Sequence, residues 1–370
     1  MRKHSPSFHT EVPGQTMLRV VVLWACVAAS LAAPPVGRVT ADAAASVRDA
    51  DALGARRQNA GATWCAASAL NTIVCDNFKA WNDALATKVP ATVAAYYSST
   101  ANELSFLPTV SPSHIKTIQD TTDYFVDFLQ KNPQGTLTDN FVMQLGGQDA
   151  YLHTGLYTFK LGDVGAQSDV PARFSYVWKK YGSNWKITHM HSSLVPAARR
   201  RSGEAAADAE LFFEETSALI AKAAAEAAPS PTSRHLLTNA ATAAENFKKW
   251  INALATKNAT TVAALYSSTA NELSFLPTVE PKHLKTNDEA KAYFVEFVKN
   301  NPDGIITDEL VQAFGNDHYL HSGLYTFGLG ATMGAQNLAA ARFTYVWKKY
   351  GNDWNIVHHH SSKQPTGILS

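Results

Sequence analysis

The chain has 370 residues, 46% hydrophobic and 17% charged, with a formal net charge of +1. This is an ordinary globular mixture with length for two or three domains. Its charges form neither a basic stripe nor an acidic tail, which argues against nucleic acid as a partner.

In chain order, Arg2, Lys3 and Arg19 precede an apolar run over 20–33, followed by small residues and Pro34-Pro35. Residues 1–44 read as a secretory signal, so the protein is expected in the secretory pathway or outside the cell. The alternative is an organelle transit peptide, and Met17 offers a second, shorter start. The run is too short, and too soon broken by proline, to predict a stable membrane span. Cys26 falls inside this leader. The alanine-rich segment 45–75 carries Cys65 and Cys75. In an oxidising compartment these two can bridge and staple the start of the first domain; otherwise they are buried thiols.

Residues 78–193 are then repeated at 247–362, at roughly 60% identity over about 116 positions, a domain duplication rather than a short-period array. We place copy 1 at 76–195, an alanine-rich linker helix at 196–242 and copy 2 at 243–363. Each unit is long enough to bury a core without metal or disulfide support. Phe78, Trp81, Ala84 and Leu85 follow helical spacing, as do Phe247, Trp250, Ala253 and Leu254. A short second helix is expected at 93–97 and 262–266. A strand over 103–107 ends at Pro108, and a further helix is expected at 120–129 and 289–298, before Asn-Pro-Gln-Gly and Asn-Pro-Asp-Gly turns. Alternating aromatic runs at 151–161 and 173–181 follow, and Gly182-Ser183-Asn184 turns the chain into 185–193. Helices first and an antiparallel meander afterwards predict an α+β domain, with the helices on one face of a bent sheet.

Between the copies, Arg199-Arg200-Arg201 leads into the alanine- and glutamate-rich linker, where Leu211, Phe212, Leu219 and Ile220 form one apolar face. Its acidic character argues against a calmodulin target. Asn258-Ala259-Thr260 is a glycosylation sequon, which fits secretion.

No phosphate loop, HExxH, GxSxG, kinase signature or dinucleotide fingerprint appears, so no cofactor is expected. The candidates for chemistry are polar residues among aromatics. Strand alternation puts His153 and Tyr157 on one face, as it does His321 and Tyr325. Each pair lies roughly 13 Å apart along its strand, lining one cavity without touching. Such a pair can hold a carboxylate or polarise a carbonyl; the alternative is a hydrogen-bonded core histidine. His189 with His191, and His358 with His360, have the HxH spacing of metal sites but no third ligand at suggestive spacing, so we expect interface or core histidines and no metal. Arg173 and Arg342 sit in aromatic strands and need partners if buried, as pocket anion anchors or in structural ion pairs. By parity Arg173 faces away from Tyr176 unless a bulge intervenes, and likewise Arg342 from Tyr345. Glu103 and Glu272 are the carboxylate candidates.

The strings ARFSYVWKKYGSNWKITHMHSS from Ala172 and ARFTYVWKKYGNDWNIVHHHSS from Ala341, with FLPTV and the NPQG/NPDG turns, carry a resemblance over nearly all of both copies. Each copy resembles the association, or hub, domain of calcium/calmodulin-dependent protein kinase II, within the nuclear transport factor 2-like, SnoaL-like superfamily. The resemblance implies a cone, in which a curved antiparallel sheet wraps an N-terminal helix and a pocket opens at the end. It also implies pairing through sheets, stacking into rings, and a cationic pocket for small carboxylates. Where the family's pocket carries arginines, this chain has His153 and His321, Tyr176 and Tyr345, and Ser192 and Ser361, so a less cationic pocket is expected. The pocket candidates are therefore His153, Tyr157, Arg173 and Tyr176, with His321, Tyr325, Arg342 and Tyr345. The functional expectation is a non-catalytic oligomerisation module in which the copies form an intramolecular pseudo-dimer, with rings as the larger assembly and a small carboxylate or hydrophobic ligand. The alternative is a SnoaL-like enzyme doing acid/base chemistry on a small hydrophobic substrate.

Overall fold

A computed structural model describes residues 63–197, 231–330 and 337–366, with side chains from 239 onward in the second stretch and from 338 in the third. The leader, Cys26 and the apolar face at Leu211–Ile220 lie outside the described residues.

Copy 1 opens with α1 (Ala69–Ala86), whose N-cap Ser68 accepts from the Asn71 amide. Its predicted stripe, with Val74, is buried. α2 (Pro90–Ala94) has proline in its first turn. β1 (Ser105–Leu107) and α3 (Ile118–Phe128) follow, and a 3-10 turn ends on left-handed Asn132. Four long strands complete the copy: β2 (Gln134–Gln144), β3 (Ala150–Leu161), β4 (Ser168–Tyr181) and β5 (Asn184–Leu194). Copy 2 repeats the plan with α4 (Pro231–Ala255), α5 (Ala259–Ala263), β6 (Ser274–Leu276), α6 (Asn287–Phe297), β7 (Asp303–Phe314), β8 (His318–Leu329), β9 (Asn337–Tyr350) and β10 (Asp353–Lys363).

The sheets run β1-β5-β4-β3-β2 and β6-β10-β9-β8-β7. All pairs are antiparallel except β1 with β5 and β6 with β10. Three details differ from the sequence expectation. The second helix lies at 90–94, because Tyr97 instead bridges to Ile187. The edge strands β2 and β7 were not expected. α4 begins at Pro231, inside the span assigned to the linker.

Alternation along each strand separates two buried faces. In copy 1, Tyr151, His153, Tyr157, Phe174, Tyr176 and Trp178 turn inward onto Phe78 and Trp81 of α1. Leu152, Arg173, Ser175, Val177, His189 and His191 occupy the opposite face and are equally buried. An antiparallel sheet usually leaves one face to water. Here the other copy's sheet covers it: Leu145, Leu152 and Val177 share an apolar cluster with Phe314, Leu320, Val346 and Val357.

Candidate functional site

The seam between the copies is polar at its centre. Ser175 Oγ meets His358 Nε2 at 2.8 Å and His360 Nδ1 at 3.0 Å, and Ser193 Oγ meets His360 Nε2 at 2.8 Å. The reciprocal set is Thr344 Oγ1 with His189 Nε2 at 2.9 Å and His191 Nδ1 at 3.0 Å, and Ser362 Oγ with His191 Nε2 at 2.9 Å. His191 and His360 stack on each other with centroids 3.7 Å apart. The same patch on both partners, exchanging equivalent contacts, is the isologous geometry of a twofold dimer, made here within one chain. Each histidine faces hydroxyls, which donate or accept as needed and so satisfy a neutral imidazole. Burial pushes all four well below the usual histidine range, His358 to about 3. Among the described residues no group of three His, Cys, Asp or Glu side chains is placed to hold a metal.

Arg173 and Arg342 belong to this seam and not to the cones, which corrects their assignment as pocket residues. Arg173 donates to the carbonyls of Pro277 at 2.5 Å and Ser361 at 3.2 Å, and Arg342 to those of Pro108 and Ser192. Among the described residues no carboxylate pairs with either; each planar fork reads the other copy's main chain. No bulge falls between Arg173 and Tyr176, so strict parity holds.

At the rim, Asp139 receives His283 Nδ1 at 2.7 Å and Lys285 Nζ at 2.6 Å. Asp308 receives His114 at 3.0 Å and Lys116 at 2.5 Å. Burial works to raise both carboxyls, but these bonds outweigh it and hold each at about 2. Each aspartate sits at a bulge, after Leu137 or Ile306. Gly155 pairs with Asn140, the residue after the first, and a Cβ there would stand 2.1 Å from the Asp139 carbonyl oxygen.

Inside cone 1, His153 is fully buried, its Nε2 2.8 Å from Asn140 Oδ1. Burial pushes its imidazole down to about 3. The Tyr157 hydroxyl bonds Ser192 Oγ, and Tyr325 bonds Ser361 in the same way. Among the described residues His153 Nδ1 and the Tyr176 hydroxyl have no hydrogen-bond partner, nor do their counterparts His321 Nδ1 and Tyr345 OH. Two polar residues around the second cone differ from their copy 1 counterparts. Glu309 stands for Asn140 and accepts from His321 Nε2 at 2.6 Å, which holds its carboxyl below the usual range. His359 stands for Met190, bonds the Tyr266 hydroxyl at 2.9 Å and stacks on Tyr345. Two surface grooves among the described residues do not reach the cone histidines: one of about 460 Å³ runs past Tyr97, Thr122 and Tyr181, another of about 300 Å³ past Leu284 and Phe297. Glu103 and Glu272 lie outside the cones, bonded to Lys179 with Tyr181 and to Lys348 with Tyr350. Cys65 and Cys75 are joined as a disulfide.

A family model described as the calcium/calmodulin dependent protein kinase II association domain matches twice, over residues 72–196 and 240–365. The chain belongs to that family. Both copies are α+β domains, each with a five-stranded sheet and N-terminal helices. Among solved structures, a Xanthomonas campestris protein described as such an association domain is 36% identical, covering 36% of this chain and 92% of its own, with a TM-score of 0.33. The association domain of C. elegans CaMKII is 16% identical over 35% of this chain and 98% of its own, with a TM-score of 0.30. A Pseudomonas putida NTF2-like protein of unknown function is 16% identical over 34% of this chain and 86% of its own, with a TM-score of 0.29. No curated protein matches the chain. Among the described residues no helix of these association domains is long and apolar enough to cross a membrane.

The residues that sequence reasoning missed are the rim set (His114, Lys116, Asp139 and their counterparts) and the position shared by Asn140 and Glu309. The rim aspartates and histidines do recur in both copies, and that recurrence was the available signal.

Proposed function

We propose that this chain is a non-catalytic assembly module, a fused pair of association domains that works as one pre-formed dimer and builds ring homo-oligomers from two-copy units. The carrying observation is the reciprocal insertion of Arg173 and Arg342 into the other copy's main chain. Each guanidinium is buried, its Nε bonded to a serine of its own copy and its two terminal nitrogens to carbonyls of the other, so neither arginine is left free for a substrate. Fusion holds the two domains at an effective concentration on the order of millimolar, so pairing needs little intrinsic affinity. The partnerless polar atoms in each cone support its use as a compartment for a small carboxylate or hydrophobic ligand. Native mass spectrometry of residues 45–370 tests the assembly: a multiple of the chain mass is expected, and a single-chain mass rejects the ring.

The Glu309–His321 pair favours a second reading, acid/base catalysis of the SnoaL-like kind in copy 2 alone. A carboxylate accepting from Nε2–H leaves Nδ1 bare as a proton acceptor toward the cone. Glu309→Gln, the neutral analogue of copy 1's Asn140, would abolish turnover of a small carbonyl substrate under this reading and leave the assembly's mass unchanged under the first.

A further inference from the structure

Cone 1 is covered by a residue from outside the repeat. The half-buried indole of Trp64 stacks on His153, with centroids 6.0 Å apart and planes 19° from parallel. Phe78 and Phe174 meet the same imidazole edge-on at 6.2 and 4.8 Å. Within this aromatic box His153 Nδ1 and the Tyr176 hydroxyl are buried without partners. Trp64 is tied to the start of α1 in three ways. Asn71 Nδ2 donates to its carbonyl at 2.9 Å, Thr72 Oγ1 donates to the Cys65 carbonyl at 3.0 Å, and Cys65 is bonded to Cys75. Only the last tie is covalent, and it is chemically reversible. Copy 2 cannot repeat this lock, because Ala244 stands in the place of Cys75 and the chain's cysteines are Cys26, Cys65 and Cys75.

We propose that Trp64 is a plug on cone 1 locked by the Cys65–Cys75 bond, and that reduction opens the cone as a site for a flat aromatic molecule bearing a hydrogen-bond donor. The ligand half of this inference rests on the reading of the cones as ligand compartments; the lock does not. A dithiol supplies two electrons and two protons, the Sγ–Sγ bond breaks to two thiols, and the reductant closes to its own disulfide. With that cross-link gone, the segment carrying Trp64 keeps the Asn71 and Thr72 hydrogen bonds and the packing of its indole, and a short segment that has lost its staple opens locally at lower cost. Departure of the indole leaves a slot shaped for a planar ring over the imidazole. With Nε2–H donating to Asn140, Nδ1 is an acceptor at the edge of the imidazole, so a ring that stacks on its face is favoured further when it carries an N–H or O–H substituent that reaches that edge.

The test is acylation of His153 by diethylpyrocarbonate in the full chain, read by peptide mass spectrometry with His321 as internal reference. Reduction by a dithiol, or Cys65→Ser with Cys75→Ser, is expected to raise His153 acylation at least tenfold relative to His321. Trp64→Ala with the disulfide intact should do the same. Millimolar indole, the plug's own ring, should protect His153 in the reduced chain and not in the oxidised one. An unchanged His153 rate on reduction, or an equal rise at His321, overturns the lock. A rise that indole does not suppress keeps the lock and overturns the aromatic site.

Discussion

Arg173 is the residue on which the seam turns. It is fully buried and bonded to Ser193 Oγ at 3.0 Å as well as to two carbonyls of the other copy. Arg173→Ala leaves those acceptors unpaired beside a cavity, and should cost about 2–4 kcal/mol in urea unfolding of the whole chain. Arg173→Lys should recover only part of this, since an ammonium cannot reproduce the fork. The histidines set the pH response. Burial holds His189, His191, His358 and His360 below their affinity for protons in the unfolded chain, so their contribution is complete above about pH 6.5 and falls as the medium is acidified toward the folded value. Asp139 and Asp308, held at about 2, add a second loss between about pH 4 and 2, in the same direction. Unfolding midpoints measured from pH 8 to pH 2 should begin to fall below about pH 6.5 and fall more steeply below about pH 4, and a flat profile between pH 7 and 5 would contradict neutral buried histidines. The HxH spacing was visible in the sequence, and its hydroxyl partners were not, because they lie across the seam about half a chain away. Strand parity did separate Arg173 from Tyr176. The Pro277 carbonyl that receives Arg173 is main chain, and main chain carries no sequence signal.

Among the elements, the edge strands β2 and β7 hold the rim. The bulge before Asp139 aims it at His283 and Lys285, and the strand opposite must come close to accommodate it. Gly155→Ala would drive a methyl group into the Asp139 carbonyl oxygen. We expect a loss of about 2 kcal/mol or more, with the His283 ring signal in NMR shifting as its aspartate moves. This strand escaped the sequence reading for the same reason: the bulge resets its alternation, and most of its residues are only half buried. α1 was legible because Phe78, Trp81 and Leu85 keep helical spacing against an interior that tolerates nothing else. Asn140 and Glu309 carry no repeat signal, because this position holds an amide in one copy and a carboxylate in the other.

At the scale of the whole molecule, the two sheets share an apolar layer with Leu152 and Val177 from one copy and Leu320 and Val346 from the other. The copies should therefore unfold together. Calorimetry of the full chain is expected to give a single transition, and Val177→Asp with Val346→Asp should split or abolish it by burying unpaired charge. The described seam contacts join the two cones directly. A protease site inserted between 197 and 231 should leave the cut halves co-eluting at the mass of the intact chain; separation at micromolar concentration would show that the tether, rather than the seam, holds the pair.

The stacked rings of His191 and His360 mark the axis at which an ordinary homodimer would place one residue against its own symmetry mate. In such a dimer a single codon writes both sides of every contact, and each mutation arrives twice. Here two codons write them. Glu309 opposite its copy's His321, and His359 where copy 1 keeps Met190, are changes made on one side only. Gene duplication has thus released the partners from identity, so that one cone can take on new chemistry while the other keeps the frame.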